Sequence, residues 1–308
     1  MRNVKRQNIV IMVFISILCV IVIMQSISAI NDINSSEVRR QEIAQKCKLD
    51  LENKENLDEV YVDYCENVIY PSMNLKVDFY TALSEIILYR VRFLNVFGFL
   101  AVIIPTLIAV CNILKNKYII NALTRESYVS FLKQFFKKAY RFIWILPLLA
   151  IIMFTFCGFN TTFDTGYAIY NKSSIWTSSL INHPFWFMFI YIINLVMYSI
   201  TYVNISLIVA RKQHRYVLTV ILAFLLFLGI ELFLEIVVNI LICNIILHEY
   251  NIGVVINIMN LFTFNDILGI DMLLLFTILV TIISTIIVIL LYRNKEKLVI
   301  SCEKNNRR

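Results

Sequence analysis

Six runs of apolar residues constrain this chain more than any other feature. Crossing about 30 Å of hydrocarbon as a helix takes about 20 residues. Runs near that length occur at residues 8–30, 93–114, 142–158, 185–210, 217–243 and 272–292. A soluble core would break such runs with polar helix faces, and barrel strands would alternate along them. They do neither, so the expected fold class is an all-α membrane protein with six transmembrane helices. Composition agrees: 59% of residues are hydrophobic and 16% are charged, well below the roughly 25% charge of a soluble domain. The first run has a basic start (Arg2, Lys5, Arg6) and Ser28-Ala29 near its end, as a cleaved signal does. It is longer than the usual signal core, which favours an uncleaved anchor.

Orientation follows from Lys and Arg, which concentrate on cytoplasmic segments. With the N-terminus inside, those segments hold Arg2, Lys5, Arg6, Lys115, Lys117, Arg125, Lys133, Lys137, Lys138 and Arg141. They also hold Arg211, Lys212, Arg215, Arg293, Lys295, Lys297, Lys304, Arg307 and Arg308, together most of the 28 basic residues. Arg39 and Arg40 make the first span equivocal alone; the whole-chain bias gives N-in and C-in. The net charge of +7 is thus a topological signal, and no nucleic-acid surface is expected.

Three divisions follow: residues 1–30, an extracytoplasmic loop domain at 31–92, and a five-span bundle at 93–308. The loop carries more than half of the 21 acidic residues. Its first half, Ser35 to Asp58, is charged and helix-permissive. Tyr80 to Arg90 reads as a helix leading straight into the second span. Cys47 and Cys65 share this loop, so a disulfide between them and two free thiols are both open. No Cys or His spacing suits a metal. The abundance of Ile, Asn and Lys points to an AT-rich bacterial genome and hence a bacterial plasma membrane.

Between the second and third spans, Tyr128, Phe131, Leu132, Phe135 and Phe136 recur at three- and four-residue spacing and make one apolar stripe. Lys133, Lys137, Lys138 and Arg141 lie off it. Thr124 is the expected N-cap, with Glu126 in the first turn. This predicts an amphipathic helix over 124–141 at the inner membrane face. It serves either as an interfacial anchor or as a docking element for a cytoplasmic partner. Residues 247–270 are apolar but broken by His248, Glu249, Asn251, Gly253, Asn257, Asn260, Asn265, Asp266 and Gly269, which suggests a re-entrant pair of short helices.

Chemistry of the soluble kind is nearly absent. His183, His214 and His248 lie in three different loops, and no glycine-rich phosphate cradle appears. Neither enzyme activity nor a cofactor is expected. Glu231 and Glu235, four apart in the fifth span with Asn239 on the same stripe, are costly at membrane depth. They either line a polar transport path or pair with neighbouring helices and the rim. Pro105 and Pro147 are expected to kink the second and third spans, and Pro184 suits a helix first turn.

In its order of parts the chain resembles the type-2 permease family of ABC transporters. The resemblance rests on the six spans, on Asn116-Lys117-Tyr118-Ile119-Ile120-Asn121-Ala122-Leu123-Thr124-Arg125 with the helix after it, and on the 247–270 segment. The acidic, Gly-Thr-containing stretch usual before the basic helix is reduced to Asn-Ala-Leu-Thr-Arg. The resemblance implies an exporting permease subunit in a homo- or heterodimer, driven by a separate ATPase. Arg125, Glu126, Tyr128, Phe131 and Phe135 would form the docking element, and membrane lipid is the other expected partner. Two readings from other classes stand beside it. One is a proton-coupled secondary transporter using Glu231, against which the absence of an internal repeat counts. The other is a receptor or immunity-type protein acting through residues 31–92.

Overall fold

The computed structural model describes residues 2–53, 58–69, 76–115, 122, 124–164, 180, 182–246, 248 and 270–294. Among them there is no strand, only an isolated parallel bridge between Asp78 and Thr162. Among the described residues six helices are long and apolar enough to cross a membrane. This is a multi-pass helical membrane protein.

Helix α1 runs from Arg2 to Asn53, far longer than a bilayer requires. It continues through the polar stretch after residue 30 because that stretch lacks Gly and Pro and is rich in good helix formers. Short helices α2 (Glu59–Tyr64) and α3 (Phe79–Glu85) follow, each extended by a π-helical turn, Cys65–Ile69 and Ile86–Arg90. The expected straight run from Tyr80 into the second span does not occur. Val91 leaves helical geometry at φ −109° and ψ 19° before α4, Phe93–Lys115, begins. Helix α5 spans Tyr128–Ala139 and ends in a 3-10 turn, Tyr140–Phe142. Then come α6 (Ile145–Asn160), α7 (Pro184–Ala210), α8 (Tyr216–Phe233, continued as a π-helix over Leu234–Ile246) and α9 (Ile270–Arg293). Pro184 opens α7 as expected. Pro105 lies inside α4 and removes one ladder donor there. Pro147 instead falls in the first turn of α6, where its missing N–H costs no helical bond. The 247–270 segment lies outside the described residues except at its ends, as does 116–121.

The chain forms two compact units, residues 1–18, 93–150 and 189–308 in one, and 19–92 and 151–188 in the other. In the second unit a disulfide joins Cys47 to Cys65, with Cα atoms 5.7 Å apart, and packs with Ala44 and Ile69 against Leu51 and Tyr61. Tyr61 donates to Asp50 at 2.8 Å. Asp78, wholly buried, caps α3 by accepting from Thr81 N at 2.7 Å. Phe79 N donates to Thr162 O at 2.9 Å and Tyr80 Oη to Leu180 O at 3.0 Å. The Phe79 ring meets Phe154 and Phe163, and the Tyr80 ring meets Phe187. Arg90 forms a salt bridge with Asp32, and Glu37 accepts from Val77 N at 2.6 Å.

The first unit is organised around the seam between α7 and α9. Thr277 donates to Asn194 at 2.8 Å, and the Thr201 and Thr281 hydroxyls lie 3.2 Å apart. Asn204 donates to Ser284 at 2.9 Å and to Thr285 at 3.0 Å. Each of these hydroxyls also donates to a carbonyl of its own helix, and pairing across the seam adds the bonds that join the two helices where hydrocarbon offers no partner. On another side of α7, Phe99 of α4, Tyr202 and Phe227 of α8 pack together, with Phe99 and Phe227 stacked at 4.4 Å.

Candidate functional site: a docked surface helix and a buried carboxylate

The amphipathic helix begins later than its sequence suggests. Ser127, not Thr124, is the N-cap, with ψ 152° and its hydroxyl accepting from Ser130 N at 3.3 Å. Thr124 sits in a preceding turn closed by Arg125 N and Glu126 N, both donating to Ala122 O at 2.9 Å. Glu126 therefore precedes the helix. Its carboxylate accepts from Ser130 Oγ and Gln134 Nε2, each at 2.9 Å, which favours the positive end of the helix dipole.

The apolar stripe of α5 faces protein. Phe131 and Phe135 are 2% and 1% exposed, and α5 packs on α4. The Phe135 and Phe136 rings sit 5.3 and 5.7 Å from the ring of Tyr292, in the last turn of α9. Tyr128 Oη donates to Tyr292 O at 2.5 Å. Tyr292 Oη donates to Leu207 O at 3.0 Å. Arg211, just beyond α7, donates from Nε to Leu291 O at 3.3 Å and places its guanidinium 5.9 Å from the Tyr292 ring. Tyr140, after α5, donates to the Asn204 side-chain oxygen. Of the five residues expected to dock a partner, Phe131 and Phe135 thus lie inside the bundle and Tyr128 is committed to α9. Arg125 is exposed, alongside Val129, Lys133 and Lys137. Ile113, Glu126, Phe131, Gln134, Phe135 and Lys138 line a shallow recess beside this face.

Glu231, in the last turn of α8, is 6% exposed. Its carboxylate lies within electrostatic reach of Tyr198 and Tyr202 on α7. Tyr198 pairs with Thr277, which also bonds Asn194, so the acid adjoins the α7–α9 seam. Glu235 and Asn239 fall in the π-helical continuation and are only partly buried; Asn239 donates to Glu235 at 3.3 Å. The stripe expected from four-residue spacing thus divides into a buried acid and a partly buried pair. Among the described residues no group of three or more His, Cys, Asp or Glu is placed to hold a metal.

The sequence reading missed the α7–α9 seam and the role of Tyr292. The seam had a signal: Asn194, Thr201 and Asn204 on one span and Thr277, Thr281, Ser284 and Thr285 on another recur at three-, four- and seven-residue spacing, the one-face pattern of a helix. Tyr292 had none, because its partners lie on segments remote in sequence. No protein-family model, curated protein or solved structure matches the chain.

Proposed function

We propose that the chain is the permease subunit of an ATP-driven exporter in a bacterial plasma membrane. Both termini are cytoplasmic, and it works as a homo- or heterodimer with a separate ATPase. The observation supporting this reading is the docking of α5. An anchor helix would place its aromatic stripe in lipid. Here Phe131, Phe135 and Tyr128 are turned into the bundle, and Arg125, Val129 and Lys133 are left exposed. A push on that outer face passes through packed rings to α4 and to Tyr292, so α5 suits transmission of force from a partner's conformational cycle. The expected contact begins at Arg125.

Affinity purification of the tagged protein from its native membrane in mild detergent, with partners identified by mass spectrometry, tests this. A stoichiometric P-loop ATPase lost on Arg125→Glu is the expected result. An intact chain with no such partner would end the permease reading.

Burial of Glu231 at the seam favours one second reading, proton-coupled transport. It predicts transport that collapses with the proton gradient and in Glu231→Gln, with no ATPase required.

A further inference from the structure

Three basic segments that are far apart in sequence meet at one end of the first unit. Lys133, Lys137 and Lys138 belong to α5, with Arg141 in the turn after it. Arg211 and Lys212 follow α7, Arg215 caps α8 and Arg293 closes α9. Tyr292 gathers them: α5 docks on it through Tyr128, Phe135 and Phe136, and the α7–α8 turn docks on it through Arg211. Lys133, Lys137, Lys138, Arg141, Lys212, Arg215 and Arg293 are all exposed.

Depth follows from the neighbours. Trp144, 61% exposed, immediately precedes α6 three residues after Arg141, and tryptophan concentrates where hydrocarbon gives way to headgroups. The cations at the ends of α7, α8 and α9 flank membrane-length helices directly. The apolar face of α5 is used inside the protein, so charge rather than insertion remains to hold α5 against the bilayer. Topology alone requires cations near each span; it does not require the segments to assemble around one ring.

We propose that this cationic collar is a binding site for the phosphate headgroups of anionic phospholipids in the adjoining leaflet. Lys and Arg near an anionic membrane surface attract it additively, and guanidinium groups bond phosphate in bidentate fashion. The proposal rests on the chain spanning a membrane and is independent of the permease reading.

The test uses the full chain in neutral detergent, titrated with phosphatidylglycerol, phosphatidylcholine or inorganic phosphate while thermal unfolding is followed. Phosphatidylglycerol should raise Tm and phosphatidylcholine should not, and added salt should shrink the effect. A variant with Lys137→Gln, Lys138→Gln, Lys212→Gln and Arg215→Gln should lose about tenfold or more in apparent phosphatidylglycerol affinity. Lys46→Gln with Lys48→Gln, on α1, should lose none. Equal response to the two lipids, a full response retained by the four-site variant, or reproduction of the shift by inorganic phosphate alone would overturn the proposal. Should the four-site variant fail to fold, the salt and lipid comparison on the unaltered chain still decides.

Discussion

The hydroxyl of Tyr128 donates to the backbone carbonyl of Tyr292, 2.5 Å away, one residue before α9 ends. The last four carbonyls of a helix lack intrahelical donors. A side chain of the surface helix therefore completes the end of a membrane helix, and α5 and α9 are joined through the backbone as well as through rings.

Removing that bond separates its contribution from packing. Tyr128→Phe should cost about 0.5–1.5 kcal/mol, and Phe135→Ala about 3–5 kcal/mol, because it empties a buried aromatic site. Unfolding in mixed detergent gives both values. Hydrogen exchange in 128–139 should rise in each variant, and more in Phe135→Ala. No change in exchange for either variant would show that these contacts do not hold α5 in place.

The seam between α7 and α9 makes a quantitative prediction. Interhelical hydrogen bonds in bilayers average about 0.6 kcal/mol. A double-mutant cycle over Asn204→Ala and Ser284→Ala should return a coupling energy near that value. Asn204 has two further partners, Thr285 and Tyr140, so its single variant should cost more than the Ser284 variant. Equal costs and no coupling would mean that the seam adds nothing to stability.

The disulfide closes a short loop, with 18 positions separating Cys47 from Cys65. Loop-closure entropy for such a link is about 3 kcal/mol. Cys47→Ser with Cys65→Ser should loosen the second unit, read as faster proteolysis within 31–92, while the six spans still insert. Thiol labelling of the unaltered protein before and after reduction gives the simplest check, since labelling of both cysteines without reduction would show that the bond is absent.

A carboxylate in the second unit supplies a pH dependence. Burial pushes the Glu85 carboxyl above its usual range. The folded state then binds its proton more tightly than the unfolded chain does. Its contribution is fully present below the ordinary glutamate range and is lost as pH rises through the elevated folded value. Glu85→Gln should flatten that part of the Tm-against-pH profile, and an unchanged slope would assign the dependence elsewhere.

Much of this architecture is legible in the sequence, because hydrocarbon thickness sets a length that few other folds demand. The run at 93–114 becomes α4, 185–210 becomes α7 and 272–292 becomes α9, each within two residues at either end. The first run shows the limit of that logic. Apolarity ends near residue 30, but the helix does not, since nothing after it breaks backbone hydrogen bonding. Surface features were harder to read. Phe131 and Phe135 form an apolar stripe whether they face lipid or protein, and periodicity does not tell those solvents apart. Ser127 and Thr124 are both good caps by type, and the choice is made by the turn that Arg125 and Glu126 close on Ala122. Glu231 was conspicuous for its charge; its setting beside Tyr198 and Tyr202 depends on how α7 and α8 pack.

The bonded pairs of the seam rise together in number, Asn194 with Thr277, Thr201 with Thr281 and Asn204 with Ser284, so α7 and α9 run parallel. During synthesis α7 emerges long before α9, with α8 in between. For that interval Asn194, Thr201 and Asn204 have none of their α9 partners, and only the bond of Thr201 to Met197 O within α7 and that of Tyr140 to Asn204 stand in for them. A nascent chain halted before residue 270 would thus display a polar stripe, a ready mark for membrane chaperones or proteases. Arrival of the last helix is the event that hides it.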